Sequence, residues 1–196
     1  RVRRQRQMCI RDRDLTITGQ YSPAGLFGIV EEQGSIESLS VRGIVSVSDS
    51  ADTTTGGIVG INHGTLINCQ FTGVVTGDSE VGGIVGRNES EGTIDHSTAR
   101  AIVTGKSSTG GIAGYNLGAI TGCTNVGSIN TEYQEASLDT DGFTAKMVDQ
   151  INNKIAAADD DATNSVTNVA TDTGGIAGRS SGMILTSVNT GTVGYE

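Results

Sequence analysis

A glycine-bounded core returns five times along the chain: Gly25-Leu26-Phe27-Gly28, Gly57-Ile58-Val59-Gly60, Gly83-Ile84-Val85-Gly86, Gly111-Ile112-Ala113-Gly114 and Gly175-Ile176-Ala177-Gly178. Self-similarity of this kind marks a solenoid or array, in which each unit buries its apolar side only against its neighbours. The downstream segments SIESLSVRGIV, TLINCQFTGVV, TIDHSTARAIV, AITGCTNVGSI and MILTSVNTGTV align without gaps. One column reads Ile36, Leu66, Ile94, Ile120, Ile184; three residues on come Leu39, Cys69, Ser97, Cys123, Ser187; the last reads Val45, Val75, Val103, Ile129, Val193. Aliphatics at fixed places in short segments bounded by glycine imply strands stacked in register. A fourth column, Gly43, Gly73, Ala101, Gly127 and Gly191, is small in every unit, as suits a backbone that turns or approaches its neighbour closely.

The fold class that follows is all-β: a parallel β-helix, or β-solenoid, of about 26–28 residues per coil. Three strands per coil are expected, in the GGIVG, TLINCQ and GVVTG stretches, with ladders about 4.8 Å apart. Because parallel connections are overwhelmingly right-handed, the expected coil is right-handed. With 29 Gly, one Pro, no Trp and 4% aromatics in 196 residues, a narrow interior of stacked small side chains suits the chain better than a globular core.

Four segments are expected. Residues 1–13 carry six of the thirteen Lys and Arg. The string from Arg3 to Arg13, RRQRQMCIRDR, resembles a sequencing adapter translated in frame and is excluded from fold reasoning. Without those thirteen residues the balance is 7 basic to 21 acidic, a net of −14, which repels nucleic acid and anionic membranes. Coils occupy 14–130, entered partway round: Ile17 lies eleven residues before Gly28, as Val75 does before Gly86. An insertion spans 131–173, and 174–196 is a final, truncated coil. Within the insertion Phe143, Met147, Ile151 and Ile155 form one apolar stripe, which predicts an amphipathic helix over about 142–158 capped by Asp141 or Thr140.

The second motif glycines, Gly28, Gly60, Gly86, Gly114 and Gly178, are read as geometric positions. Two residues past each stands Val30, Asn62, Asn88, Asn116 or Ser180, which predicts a short Asn ladder at one corner. An amide row that binds a ligand is the weaker alternative. Cys69 and Cys123 share a column two coils apart, so their Cα atoms should lie roughly 9.6 Å from each other, beyond disulfide reach. Both are expected reduced, buried and inert.

At these columns the chain resembles the GLUG-motif repeat of bacterial surface and exported proteins. Its match GGIVGINHGTLINC returns in four or five copies over most of 14–130 and 174–196. The first copy departs from it, with Ala24 for the leading Gly and Val30-Glu31 at the Asn turn. The resemblance implies an extracellular or cell-surface setting.

Catalytic constellations find little support. Asp95-His96-Ser97 holds the letters of a hydrolase triad, but strand alternation should turn His96 away from both neighbours. His63 has no second ligand nearby for zinc. Gly105-Lys106-Ser107 lacks the earlier glycine of a phosphate loop, a place taken by Arg100. Asp139, Asp141 and Gly142 echo a calcium loop without its third Asp or its Glu, and Asp159, Asp160 and Asp161 read as a solvated run. The Arg87 column holds Ile61, Tyr115 and Arg179, and the Asp95 column Glu37, Ile67, Thr121 and Leu185, with no convergent acid and base. No catalytic residue, cofactor or metal is therefore expected.

The leading expectation is a non-catalytic repeat segment of a secreted or cell-surface bacterial protein, a stalk or adhesive surface. An accessory repeat region of a larger exported peptidase or glycan-degrading enzyme is the alternative. A host or cell-surface glycan or protein is the kind of partner considered, and for sugar stacking only Tyr115, Tyr133 and Phe71 are candidates.

Overall fold

The glycine doublets are corners that separate two strands. In the coil that starts at Thr54, one strand, Thr54–Gly56, ends on the doublet, and the next, Val59–Asn62, begins two residues beyond it. Thr65–Ile67 and Gln70–Thr76 complete the turn. Each coil thus lays down four short strands where three were expected, and all stack in parallel into four sheets. The first sheet consists of Thr54–Gly56, Glu80–Gly82, Ser107–Gly110 and Thr171–Gly174; the second of Phe27–Val30, Val59–Asn62, Val85–Asn88, Ala113–Asn116 and Ala177–Ser180. The third holds Ser35–Glu37, Thr65–Ile67, Thr93–Asp95, Ala119–Thr121 and Met183–Leu185; the fourth runs from Arg11–Gly19 through Ser40–Val47, Gln70–Thr76 and Thr98–Thr104 to Thr124–Asn125, Ser128–Ile129 and Val188–Asn189. The result is an all-β parallel solenoid of about four turns. This computed structural model describes residues 11–47, 53–131 and 171–194, which lie within one compact unit and contain no helix. The helix expected over 142–158, and the Asp139–Asp141 and Asp159–Asp161 candidates, lie outside the described residues.

The expected TLINCQ strand is also broken, because Asn68 is left-handed. Ser38, Asn68, His96, Gly122 and Thr186 take φ of 55, 53, 46, 60 and 44° at the same corner of successive coils. L-residues adopt that region at a cost of about 1–2 kcal/mol, so something must hold them there. The axial ladder does so: each corner N–H donates to the next coil, Ser38 to Ile67 O, Asn68 to Asp95 O, His96 to Thr121 O and Gly122 to Leu185 O, at 2.9–3.0 Å. The glycine-doublet corner is held in the same way. Ile84 O accepts from both Ile58 N and Val59 N, and Ile112 O from both Ile84 N and Val85 N.

The columns of aliphatic residues are the observed register. Ile36 pairs with Leu66, Leu66 with Ile94, Ile94 with Ile120 and Ile120 with Ile184. Ile17, Val45, Val75 and Val103 continue into Ile129, which bridges Val193. Ile58, Leu66, Val75, Ile84, Ile94 and Ile120 are fully buried. The strand Arg11–Gly19 slips by one residue between Asp12 and Leu15.

Two kinds of glycine have physical causes. Gly73 sits at φ 147°, where an added Cβ would also strike the Gly43 carbonyl. Gly86 packs flush on the first sheet of the preceding coil, its missing Cβ falling 2.7 Å from Thr55 N; Gly114 and Gly178 face Val81 N and Thr109 N in the same way. Gly60 abuts Gly28 O, and Gly28, on the first coil, meets only Pro23 O at 3.6 Å.

Candidate functional site

Buried polar side chains here join coil to coil. Asn62, Asn88 and Asn116 are fully buried at the end of the second sheet. Asn62 Nδ2 donates to Asn88 Oδ1 at 2.8 Å, Asn88 Nδ2 to Asn116 Oδ1 at 2.8 Å, and Asn116 Nδ2 to Ser180 Oγ at 3.1 Å. Each amide also closes its own turn: Asn62 Nδ2 donates to Gly64 O at 3.1 Å and Asn62 Oδ1 accepts from Gly64 N at 3.2 Å. Asn88 Nδ2 donates to Gly92 O at 3.1 Å, and Asn116 Nδ2 to Gly118 O at 3.3 Å. Low dielectric strengthens such a chain and makes any unpaired member costly. The row therefore has its donors and acceptors turned onto protein, not toward a ligand.

The column of small side chains is a second ladder. Cys69 N donates to Ser97 Oγ at 3.1 Å, Ser97 N to Cys123 Sγ at 3.4 Å, and Cys123 N to Ser187 Oγ at 3.2 Å. Each heteroatom in turn donates to the carbonyl two residues back, as Ser97 Oγ does to Asp95 O at 3.1 Å and Cys123 Sγ to Thr121 O at 3.4 Å. Both cysteines are free and buried. Burial pushes the Cys69 thiol up and the Cys123 thiol up to about 11, which removes the thiolate that nucleophilic chemistry needs.

A third ladder lies in the fourth sheet, in the column Val41, Phe71, Ala99, Asn125, Asn189. Asn125 Nδ2 donates to Asn189 Oδ1 at 2.7 Å and to Gly127 O at 3.3 Å, while Gly127 N returns a bond to Asn125 Oδ1 at 3.1 Å. Sequence reasoning missed it. The signal was the spacing Asn-x-Gly, present as Asn62-His63-Gly64, Asn116-Leu117-Gly118, Asn125-Val126-Gly127 and Asn189-Thr190-Gly191.

The candidate catalytic groups do not converge. His96 is a corner residue, not a strand residue, so the alternation argument for its direction fails: its Nδ1 lies 2.8 Å from Asp95 Oδ1. Its side chain is 69% exposed whereas Ser97 is fully buried, and the two lie on opposite sides of the coil wall. Lys106 pairs with Asp78 at 2.6 Å, and the N–H groups of Lys106 and Ser107 both donate to Asp78 O, which leaves no cradle for phosphate. Tyr115 already carries two guanidinium groups over its ring, Arg87 at 5.2 Å and Arg179 at 5.7 Å from the centroid, with which a stacking sugar would have to compete. Arg87 also pairs with Glu80 at 3.2 Å and Glu89 at 2.9 Å. Among the described residues no group of three His, Cys, Asp or Glu could hold a metal, and no helix is long and apolar enough to cross a membrane.

Stacked coils joined by internal ladders, with polar groups turned inward, define a repeat region of solenoid type. The chain carries the GLUG motif, which matches residues 77–104, one full turn from Gly77 through the fourth-sheet strand Thr98–Thr104. Over 75 residues, 38% of the chain, it is 36% identical to halomucin of Haloquadratum walsbyi. It spans about 1% of that protein's length. That relative is archaeal, so the likeness is not confined to bacteria. No solved structure matches.

Proposed function

We propose that this chain is a non-catalytic repeat segment of a secreted or cell-surface protein, serving as a stalk or an adhesive surface. The observation that carries this is the inward use of polar chemistry: the asparagine, cysteine and serine columns hold adjacent coils together and offer no group to a substrate. The likeness to a stretch of halomucin, a protein named as a mucin, supports an extracellular setting. The coil is right-handed in this proposal, and residues 131–173 are an insertion with a helix over about 142–158. Antibody raised to the chain should label intact cells of the producing organism, and brief protease treatment of those cells should remove the label. Label found only after lysis would overturn the surface assignment.

A further inference from the structure

Asn88 is followed by Glu89 and Ser90, and of all the asparagines in the sequence it alone opens an Asn-x-Ser or Asn-x-Thr triplet. That triplet is the acceptor signal for N-linked glycan, and it ordinarily marks a surface loop because the sugar is bulky. Here it arises from a lengthened turn. Gly64 and Gly118 stand two residues past Asn62 and Asn116, whereas Gly92 stands four past Asn88, so Ser90 falls where those two coils have glycine. Ser90 and Glu91 are exposed and Glu89 is half-buried, yet Asn88 itself is fully buried.

The nitrogen that would carry the sugar is Asn88 Nδ2. It donates to Asn116 Oδ1 at 2.8 Å, Gly92 O at 3.1 Å and Ala119 O at 3.5 Å, so its hydrogens are engaged by protein. The space beside it is full: a Cβ placed on Gly118 would already lie 2.9 Å from that nitrogen. The backbone is pinned as well, because Glu89 N donates to Asn62 O on one neighbouring coil and Leu117 N on the other donates to Asn88 O, each at 2.8 Å. A transferase therefore finds the triplet on the surface of the folded chain and its acceptor atom out of reach.

We propose that Asn88 is an N-glycan acceptor site open only in the unfolded chain, so that glycan transfer and coil stacking exclude each other. In the transfer step Nδ2 attacks C1 of the first sugar of a lipid-phosphate-linked oligosaccharide. The C1–N bond forms, the C1–O bond to the phosphate breaks, the lipid phosphate leaves and Nδ2 gives up one proton. The product amide keeps a single N–H and carries a sugar where a buried hydrogen bond stood. It cannot enter a column whose neighbours Asn62 and Asn116 are also fully buried. The exported setting proposed above supplies only the donor's presence; the chemistry itself is independent of whether the chain is a stalk or an adhesive surface.

The test uses the full chain with a purified oligosaccharyl transferase that accepts Asn-x-Ser and a lipid-linked oligosaccharide, read by intact mass and peptide mapping. Folded wild-type chain should gain nothing. Ile94→Asp, which sets a carboxylate in a fully buried aliphatic column and so holds the chain open, should gain one glycan at Asn88. Adding Ser90→Ala to that variant should abolish the gain. Should Ile94→Asp keep the β-type circular dichroism spectrum, Leu66→Asp in the same column is combined with it. Glycosylated wild-type chain, made by cell-free synthesis with enzyme and donor present and captured on a lectin, should lack the β-type spectrum that the unmodified fraction shows. Transfer to the folded chain with its spectrum retained, a glycosylated fraction with the full β-type spectrum, or an open chain that stays unmodified would overturn the proposal. None of these outcomes bears on the surface assignment, which antibody labelling of cells tests separately.

Discussion

Asn88 is the middle rung of the amide ladder, and replacing it with Leu removes its side-chain hydrogen bonds at once. It donates to Gly92 O and Asn116 Oδ1 and accepts from Asn62 Nδ2, at 3.1, 2.8 and 2.8 Å. Asn62 Nδ2 keeps its bond to Gly64 O, so that donor stays satisfied. Asn116 Oδ1 loses its partner in a fully buried setting, where an unsatisfied group costs about 1–3 kcal/mol, whereas Gly92 O keeps its bond from Ala119 N. The side chain itself fills a similar volume, so the expected loss is about 1–3 kcal/mol, most of it from that acceptor. The rung in Ser180, which accepts from Asn116 and donates to Gly182 O, shows what a hydroxyl can keep. Asn88→Ser should therefore cost less than Asn88→Leu. Urea titration followed by circular dichroism gives both values from the midpoint at constant slope. A loss below about 1 kcal/mol for Asn88→Leu, no larger than an ordinary surface change, would refute the ladder as a source of stability.

Four further outcomes follow from the same geometry. Thr55 Oγ1 is buried without a hydrogen-bond partner, and Val81 fills the same column one coil on, so Thr55→Val should raise stability by about 1–2 kcal/mol in urea titration. Gly73→Ala should destabilise by more than about 2 kcal/mol, since it meets both a left-handed φ and the Gly43 carbonyl; a neutral result in thermal melts would contradict the register. The Cys123 thiol ionises near its ordinary value of 9.0 when unfolded and at about 11 when folded, so both states are neutral below pH 9 and only the unfolded state gains charge between 9 and 11. Stability should fall as pH rises from 9 toward 11, by up to about 1.4 kcal/mol per unit, and Cys123→Ser, which copies Ser97 and Ser187, should flatten that decline in denaturant titrations across the range. Deleting 132–169 to join Thr131 to Ala170 should leave the β-type circular dichroism spectrum intact, and a weaker signal near 222 nm would support the helix proposed over about 142–158.

The aliphatic columns were legible because burial demands the same kind of side chain at the same height in every coil. Ile36, Leu66, Ile94, Ile120 and Ile184 declare themselves, as does the small column through Gly73. The fourth strand did not. Thr54–Gly56, Glu80–Gly82 and Ser107–Gly110 share only a buried β-branched residue, Thr55, Val81 or Thr109, before a final glycine, which is too short a pattern to declare a strand. The left-handed corner was hidden too. Its residues are Ser38, Asn68, His96, Gly122 and Thr186, and only two of those five are types that favour left-handed backbone; the axial bonds enforce the turn on the rest. The cysteine column looked like a row of small fillers because sequence shows size before it shows bonding. Its serines and thiols prove to be acceptors for the backbone of the coil before.

The central claim is that the asparagine columns hold coils together and present nothing to a ligand, and side-chain amide exchange tests it most directly. In deuterium exchange followed by nuclear magnetic resonance, the Nδ2 protons of Asn62, Asn88 and Asn116 should be protected to nearly the extent of the backbone amides of Ile84 and Ile112, because release requires the coils to part. Exchange of those three amides as fast as that of solvent-exposed asparagine side chains, with the backbone still protected, would contradict it.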